Sequence, residues 1–463
     1  MNSQPNVLWI TLDSVRYDHT SMSGYRRETT PRLSALAETG RSFRNCFAQS
    51  NWTLGSSGAL LTGTYPTYNT LGITGSTLPD EITTVPERFQ AAGYQTACLS
   101  RNSYVSEATG LDRGFDRFSW IASSTLLETV GLKTLGKYAL NLRTHSAGFT
   151  TDTAKHASPY LLNSVARRWL DEMADSEDPF FCYLHYNEPH SPYYPPGMTD
   201  DEYVDDIDAT VQDATDAAMD LHENLYAHIA NGGDLTDREL EMIQAMYDAE
   251  IRYTDEMVGR LLDFVRSLDL AETIIVVTAD HGELFGEQRL LEHKLVLDDA
   301  VTNVPMVVDG LNTDLAISTE DLVEHIDIIQ TIAEVCNLDT TGMHGHNIRE
   351  AGPDVVISQR RPEDFEEYYE HNPEFDTSGI HGPTTTAFRT SEFKYQYSDS
   401  FDELFALPTE GVDVRDEHPQ VYEDLREQTT TFLNGTGKPI SDGRDAEFSD
   451  AMTKQLQDLG YIE

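Results

Sequence analysis

The feature that most constrains the fold is a series of short apolar runs, each followed directly by polar or turn residues. The runs are rich in β-branched or aromatic residues and lie at 7–12, 96–99, 180–185, 273–277 and 305–308. Runs of this length and composition are typical of strands that are buried on both faces of a parallel sheet.

Segments between these runs have the spacing of helices. Over residues 237–268 the apolar positions follow a helical period, which predicts one long helix or two consecutive helices packed on the sheet. A shorter helix is predicted from Pro31, which follows Thr30, to the residue before Gly40, because Pro is favoured in the first turn and Gly just after the last. Strands that alternate with helices predict an α/β fold, a mostly parallel sheet flanked by helices.

Two stretches do not fit this alternation and are predicted to be insertions. Residues 116–165 mix Gly, Ser and Thr with apolar residues, and residues 199–224 are strongly acidic. Both are expected over the carboxyl edge of the sheet, where loops form binding sites, although a solvated or disordered loop is the simpler interpretation of the acidic stretch. From about residue 353 the pattern changes. Residues 353–463 are predicted to form a small α+β subdomain with a last helix at 452–459, stopped by Gly460.

The charge of the chain excludes simple electrostatic binding of nucleic acid. Asp and Glu total 79 against 32 Lys and Arg, a net charge of −47, so most of the surface repels polyanions and anionic membranes. Acidic residues spread along the whole chain with few lysines favour a salt-adapted (halophilic) protein, whose self-repulsion is screened at high ionic strength. An ordinary acidic protein is the alternative.

The four cysteines and the amino-terminal sequence bear on the compartment. Cys46, Cys98, Cys182 and Cys336 lie far apart without paired spacing, which predicts buried free thiols. Neither a signal peptide nor an apolar run of membrane-spanning length is recognised, so we expect a cytoplasmic protein without a membrane segment.

Three polar residues follow the predicted strands and form a candidate metal site. Asp13 comes directly after the first run, and Asp280 and His281 follow the run at 273–277. Since the carboxyl ends of parallel strands share one edge of the sheet, these side chains are expected to meet there. Two carboxylates and an imidazole predict a site for one divalent metal ion.

Thr53 is the candidate nucleophile. It precedes an apolar run that begins at Ala59, so its hydroxyl is expected at the amino terminus of a helix. There the helix dipole favours an alkoxide, and a metal ion that touched the same oxygen would lower its pKa further. The alternative is that Thr53 only caps the helix, and the two roles are compatible.

Further polar residues follow the strands at 180–185 and 273–277. His190, in a proline-rich loop, could donate to a leaving or non-bridging oxygen, whereas His185 is expected to be a core residue or to support the site from behind. His293 and Lys294 could neutralise a bound oxyanion, with an exposed pair as the alternative.

Ordered motifs along nearly the whole chain resemble the sulfatase family of the alkaline phosphatase superfamily. The similar segments are 6–18 (NVLWITLDSVRYD), 29–33 (TTPRL), 60–66 (LLTGTYP), 180–196, 253–286, 402–407 (DELFAL) and 456–461 (LQDLGY). The resemblance implies an alkaline-phosphatase-like fold, with a catalytic domain at 1–352 and the smaller subdomain after it.

The departures from the family pattern change the expected chemistry. In the family the nucleophile is a Cys or Ser converted to formylglycine, and Thr53 stands at that position here, where this conversion is impossible. Ser14 replaces the family's second metal carboxylate. The set Asp13, Thr53, Asp280 and His281 instead resembles one metal site of related phosphodiesterases and phosphotransferases with a threonine nucleophile. Mixed oxygen and nitrogen ligands favour zinc or manganese, with calcium or magnesium as alternatives.

The sequence therefore predicts a metal-dependent hydrolase or transferase of phosphoric or sulfuric esters. Thr53 would attack in place of formylglycine, and phosphoesters are favoured over sulfoesters. The substrate is expected to be a small molecule, a glycan or a lipid that carries a phosphate or sulfate ester. One alternative is a sulfatase that works without formylglycine, and another is an inactive homologue that binds ligands.

Overall fold

A computed structural model of the chain describes residues 4–122, 125–146 and 157–458. Its centre is a seven-stranded sheet with the order β2-β10-β7-β1-β6-β4-β5. The strands of the molecule are β1 (Asn6–Leu12), β2 (Arg41–Phe43), β3 (Asn45–Phe47), β4 (Gln95–Ser100), β5 (Arg117–Trp120), β6 (Phe180–Tyr186), β7 (Thr273–Ala279), β8 (Leu284–Phe285), β9 (Leu291–Glu292), β10 (Met306–Asp309), β11 (Leu322–Glu324), β12 (Val356–Arg360), β13 (Thr385–Arg389), β14 (Phe393–Tyr397) and β15 (Asp402–Ala406).

The central sheet is mostly parallel, as predicted. β5, β4, β6, β1 and β7 run in one direction, and β10 pairs antiparallel with both β7 and β2. Every residue of β1 and β6 is buried, because helices cover both faces of the sheet. β1 lies between β6 and β7, so the residues that follow these three strands meet at one edge.

Helices surround this sheet and occupy most of the segments between strands. They are α1 (Pro31–Thr39), α2 (Thr53–Thr62), α3 (Pro66–Asn69), α4 (Val85–Ala91), α5 (Leu126–Val130), α6 (Leu132–Leu140), α7 (Leu142–His145), α8 (Pro159–Ala174), α9 (Val211–Glu223), α10 (Leu225–Ala230), α11 (Asp237–Ser267), α12 (Asp299–Thr302), α13 (His325–Val335), α14 (Glu366–His371), α15 (Pro419–Asn434) and α16 (Asp450–Asp458).

The long helical pattern near the middle of the chain forms the single helix α11. It begins with a capping box, in which the Thr236 hydroxyl accepts from the Glu239 amide and the Glu239 carboxylate accepts from the Thr236 amide. Its buried face packs on α8, α9 and α1. The helix α11 therefore packs against three other helices of the layer that covers the sheet.

The two predicted insertions contain more regular structure than expected. Residues 116–165 supply the edge strand β5, the helices α5, α6 and α7, and the start of α8. Residues 123–124 and 147–156 of this stretch lie outside the described residues. The acidic stretch contains α9, which has a Thr210 and Asp213 capping box and packs on α11, so the prediction of a solvated or disordered loop was wrong there. Both segments were misjudged because short or acidic elements show only a weak apolar period.

A second, antiparallel sheet of β12, β13, β14 and β15 follows the main sheet. The salt bridge between Asp299 and Lys394, 2.6 Å long, ties this sheet to α12, and Glu410 lies 2.7 Å from the same ammonium. The predicted α+β character of this region is confirmed. The domain division at about residue 352 stays a prediction, and the predicted helix stop at Gly460 lies outside the described residues.

Side-chain chemistry elsewhere in the core agrees with the sequence. All four cysteines are buried and free, and burial raises the pKa of the Cys98 and Cys182 thiols. Among the described helices, none combines the length and the apolar composition that crossing a bilayer requires.

Candidate active site

Asp13 and Asp280 leave neighbouring strands side by side. Leu12 of β1 pairs with Ala279 of β7, so the next residue of each strand carries a carboxylate to the same point. Both carboxylates are buried. The amides of Ser14 and His281 donate to Asp280 Oδ1 over 3.1 and 2.9 Å. These two hydrogen bonds fix the carboxylate and leave Oδ2 facing the imidazoles.

Two buried imidazoles complete the group around these carboxylates. His281 Nε2 lies 3.6 Å from Asp13 Oδ1 and 3.8 Å from Asp280 Oδ2. Its Nδ1 donates to the Gly282 carbonyl over 2.9 Å, so in the neutral ring Nε2 carries the lone pair that a metal ion requires. His185 Nε2 lies 3.5 Å from Asp280 Oδ2.

His185, which the sequence predicts to be a core residue or to support the site from behind, is buried and lies beside the two carboxylates. Its ring offers a ligand atom within 4.8 Å of ligand atoms from Asp13 and Asp280, which makes it part of the candidate metal cluster. His185 pairs with Thr11 in the sheet, two residues before Asp13. Although His185 lies inside β6, its imidazole reaches the carboxyl edge of the sheet, where Nε2 is 3.5 Å from Asp280 Oδ2.

This donor set fits a divalent cation. Asp280 Oδ2, His281 Nε2 and His185 Nε2 are buried and make no hydrogen bond within the described part of the chain. Polar atoms buried in this way are costly unless a ligand satisfies them. Burial by itself would raise the pKa of Asp280, but the His281 and His185 imidazoles and the Ser14 amide bring that pKa below its ordinary value.

Thr53 is the first residue of α2, and its hydroxyl lies beside Asp13. Trp52 is the residue that caps the helix, and it does so without a side-chain hydrogen bond. Thr53 Oγ1 is 3.4 Å from Asp13 Oδ2. Asn102, which sequence reasoning missed, donates from Nδ2 to Asp13 Oδ2 over 3.1 Å and to Thr53 Oγ1 over 3.4 Å. The hydroxyl is thus placed at the positive end of a helix dipole and against the acidic cluster.

His293 and His190 form the next layer above the metal cluster. The His293 ring centroid lies 4.4 Å from that of His281 and 5.2 Å from that of His190. His293 Nδ1 is 3.0 Å from Glu283 Oε1. Burial, followed by the neighbouring His281 and His190, lowers the pKa of His293 well below its ordinary value. We therefore expect this ring to be uncharged at neutral pH.

A narrow cleft of about 20 Å³ opens above these rings. It is lined by Asn51, Trp52, His190, Glu292, His293, Lys294, Arg361 and Glu363. Lys294 lies at its rim, where Nζ donates to the Tyr226 hydroxyl over 3.0 Å. Arg361 was also missed. Its guanidinium lies 4.3 Å from the centroid of the Trp52 ring. The sequence did not indicate Arg361 because it follows β12, a strand of the second sheet, and not a strand of the central sheet.

Comparison with known proteins gives a consistent result. A family model described as Sulfatase matches residues 5–338, more than half of the chain. Arylsulfatase K of Bos taurus is 24% identical over 459 residues, covering 93% of this chain and 82% of the relative. The ulvan-active sulfatase of Formosa agariphila is 24% identical over 480 residues, covering 99% and 82%. The crystal structure of a phosphonate monoester hydrolase of Agrobacterium radiobacter matches the fold with a TM-score of 0.73 at 20% identity, covering 93% of this chain and 96% of that chain.

Proposed function

The chain belongs to the sulfatase family, and we propose that it is a metal-dependent hydrolase or transferase of phosphoric or sulfuric esters with Thr53 as its nucleophile. The observation that carries the proposal is the position of Thr53 Oγ1, 3.4 Å from Asp13 Oδ2 at the first turn of α2. Trp52, and not Thr53, occupies the capping position of this helix, so a capping role does not account for the position of the Thr53 hydroxyl beside Asp13.

Asp13, Asp280, His281 and His185 would hold the ion, with Thr53 beside it. Two carboxylates and two imidazoles favour zinc or manganese over calcium or magnesium, because the harder ions prefer all-oxygen sites. When bound, the ion supplies positive charge that lowers the pKa of a neighbouring hydroxyl and stabilises a developing oxyanion.

In the proposed first step, Thr53 Oγ1 forms a bond to the phosphorus or sulfur atom while the bond from that atom to the ester oxygen breaks. Asp13 Oδ2 lies within reach to accept the hydroxyl proton, at 3.4 Å. The departing ester oxygen takes a proton from Nε2 of His190 in its imidazolium form, since Nδ1 of that ring donates to the Ser191 carbonyl over 2.8 Å. In the second step water attacks the phosphorus or sulfur atom of the covalent threonine ester and gives a proton back to His190, while the Thr53 oxygen takes back the proton held by Asp13. An alcohol in place of water gives transfer.

The cleft residues would bind the charged parts of the substrate. His293 and Lys294 would steady the non-bridging oxygens, and Arg361, held over Trp52, would contact an anionic group on the leaving side. The substrate would be a small molecule, a glycan or a lipid with an ester of this kind.

Phosphoesters are our first choice because threonine cannot form the aldehyde on which the family's sulfate chemistry depends. The second candidate is a sulfatase that works without formylglycine. It is favoured by the names of the two curated relatives, an arylsulfatase and an ulvan-active sulfatase.

A substrate panel with matched variants tests the proposal. Purified protein at high salt would be assayed with zinc, manganese, magnesium or calcium against an aryl phosphate monoester, phosphate diester, phosphonate monoester and sulfate. We expect fastest turnover of a phosphorus ester, and T53A should lose on the order of 10³-fold or more in kcat with unchanged metal content. S56A is the control, since Ser56 lies on the same helix and donates to the Ser50 carbonyl over 3.0 Å.

Each other outcome contradicts a defined part of the proposal. Faster turnover of the sulfate supports the second candidate. Equal activity of T53A and the parent chain excludes Thr53 as the nucleophile. A chain that binds metal and esters but turns over none of them, in either form, is the inactive ligand-binding homologue.

A further inference from the structure

A second cleft, which we call the basic cleft, lies between α6, α8 and α11. Its volume is about 600 Å³, within the range of ligand sites. It is lined by Val130, Gly131, Leu132, Lys133, Thr134, Lys137, Tyr160, Asn163, Ser164, Arg167, Arg168, Met257 and Arg260. None of these residues lines the cleft above His293, so the two clefts are separate.

The charge of the basic cleft is the opposite of that of the chain. Five of its lining residues are Lys or Arg, and no Asp or Glu is among the described residues that line it. The whole chain carries 79 acidic residues against 32 Lys and Arg. A cleft walled by charges of one sign focuses the potential and attracts ions of the opposite sign, even where the net charge of the molecule repels them.

Most of these cations are not neutralised by neighbouring carboxylates. Within the described ranges, Lys133, Lys137, Arg167 and Arg168 form no ion pair, and Arg260 alone has one, with Glu256 at 2.8 Å. Arg167 and Arg168 instead donate to the carbonyls of Arg260 and Thr129, over 2.6 and 2.8 Å. These bonds fix the guanidinium groups without cancelling their charge.

The number and spread of the cations indicate a ligand with several anionic groups. One sulfate or phosphate is satisfied by one or two Arg or Lys side chains, whereas here five cations are distributed over three helices. Leu132, which is 77% exposed, adds apolar surface beside Lys133.

An anionic lipid would suit this composition too, but a flat charged membrane would also face the acidic surface of a chain with net charge −47. A flexible polymer can enter the cleft alone.

The floor of the basic cleft connects to the candidate active site. Asn163 Oδ1 accepts from the Tyr186 hydroxyl over 2.5 Å, and Asn163 Nδ2 donates to the Met257 carbonyl over 2.7 Å. Tyr186 ends β6 and follows His185 directly. Asn163 therefore links the basic cleft to the strand that carries His185.

We propose that the basic cleft binds a polyanionic glycan chain and so anchors polymeric substrates beside the active site. This anchoring role rests on the proposed ester chemistry, whereas the binding itself does not. Small esters, which leave the basic cleft empty, gain nothing from it.

Dextran sulfate is the probe, with neutral dextran as its uncharged counterpart. The test variant is K133Q/K137Q, since both lysines are exposed, and R26Q/K438Q is a control with the same change in net charge at exposed positions outside the cleft. Binding would be measured by calorimetry at low and high salt. We expect the parent chain and the control to bind dextran sulfate and not dextran, and the test variant to bind about 10-fold more weakly.

Turnover measurements separate this proposal from the proposed function. T53A should bind dextran sulfate like the parent chain, and K133Q/K137Q should hydrolyse a small aryl ester at the parent rate. Equal dextran sulfate binding by all variants, or none by the parent chain at either salt concentration, would overturn the glycan site. So would preferential binding of vesicles of phosphatidylglycerol and phosphatidylcholine that dextran sulfate does not displace.

Discussion

Asn102 is the residue that joins Asp13 to Thr53. Its single amide group donates to the carboxylate over 3.1 Å and to the hydroxyl oxygen over 3.4 Å. Because one amide group holds both the Asp13 carboxylate and the Thr53 hydroxyl, the distance between these two groups stays fixed. The proposed nucleophile needs such a fixed position for in-line attack. Asn102 lies two residues beyond the end of β4, which pairs with β6, so a fourth parallel strand places a side chain at this edge.

Replacing Asn102 with Ala should lower kcat by about 10- to 100-fold with a small change in KM, because in the proposed mechanism the amide orients Thr53 and does not bind the substrate. N102D should be at least as damaging, since it removes the donor and adds a carboxylate beside Asp13. N434A, at an exposed amide of α15, is the control. Loss of substrate binding with unchanged kcat would contradict this role.

His185 illustrates why the sequence could not specify the whole cluster. Asp13 was predicted as a site residue because it follows an apolar run directly, and Asp280 and His281 because they come shortly after the run at 273–277. His185 lies inside its strand, where alternate side chains point to opposite faces and a histidine is usually a core residue. Only the register, in which Thr11 of β1 pairs with both His185 and Thr278, reveals that it faces the two carboxylates.

H185Q should weaken metal binding by about 10- to 100-fold, because a carboxamide is a poor substitute for an imidazole ligand. H325Q is the matched control. His325 is also buried, but its Nε2 is 3.1 Å from the Thr278 hydroxyl, and among the described residues it is not part of the candidate metal cluster. The measurement is competitive titration of the purified proteins with a metal chelator. Equal metal affinity of H185Q and the parent chain would exclude His185 as a ligand.

For helices and strands, the sequence-based prediction was accurate where both faces of a strand are buried. The predicted run at 180–185 became β6 and the run at 7–12 became β1, each with an end moved by one residue. Continuous apolar runs leave little choice of structure. The edge strand β5 and the acidic helix α9 were missed because partly exposed elements are stabilised by their neighbours and not by an apolar period of their own.

The start of α1 depends on a buried carboxyl group of α11. Asp255 accepts from the amides of Arg32 and Leu33 over 2.8 and 2.9 Å. Burial raises the pKa of Asp255 to about 7, against the lowering effect of these two amides. Among the described residues Asp255 forms an ion pair with Arg252, at 4.0 Å, and the charge of Arg32 also lowers its pKa.

This raised pKa gives a signed prediction for stability. A carboxyl group with a higher pKa in the folded state binds more protons there, so the free energy of unfolding falls as the pH rises from about 4 to about 7. The effect is at most about 4 kcal/mol, since each pH unit corresponds to about 1.4 kcal/mol.

D255N should be less stable at pH 4, and its stability should fall less steeply between pH 4 and pH 7. D263N, an exposed carboxylate of the same helix, should keep the parent slope. Parallel curves for D255N and the parent chain in urea unfolding would contradict the assignment.

Over the whole molecule, the charge of −47 dominates the response to salt. Ion pairs exist, but 32 cations cannot compensate 79 carboxylates, so the folded state carries a large self-repulsion. Composition predicts this without any knowledge of the fold. It does not predict that five cations gather in the basic cleft, because their spacing along α6, α8 and α11 becomes a cluster only after the helices pack.

We predict that the melting temperature rises by about 10 °C or more between 0.1 and 2 M KCl, ionic strengths over which the screening length falls from about 10 Å to below about 3 Å. Calorimetry with NaCl and with sucrose as comparisons separates screening from general exclusion effects. A melting temperature that does not change with either salt would identify an ordinary acidic protein.

The covalent threonine ester is the central claim of the account, and rapid acid quenching tests it most directly. Protein mixed with its best phosphoester would be quenched within one turnover, digested and analysed by mass spectrometry. We predict one phosphoryl group on the peptide that contains Thr53, its absence from T53A, and decay of the label at the rate of turnover. A label on another residue, or full turnover in a single phase with no labelled Thr53 at any time, would contradict the account.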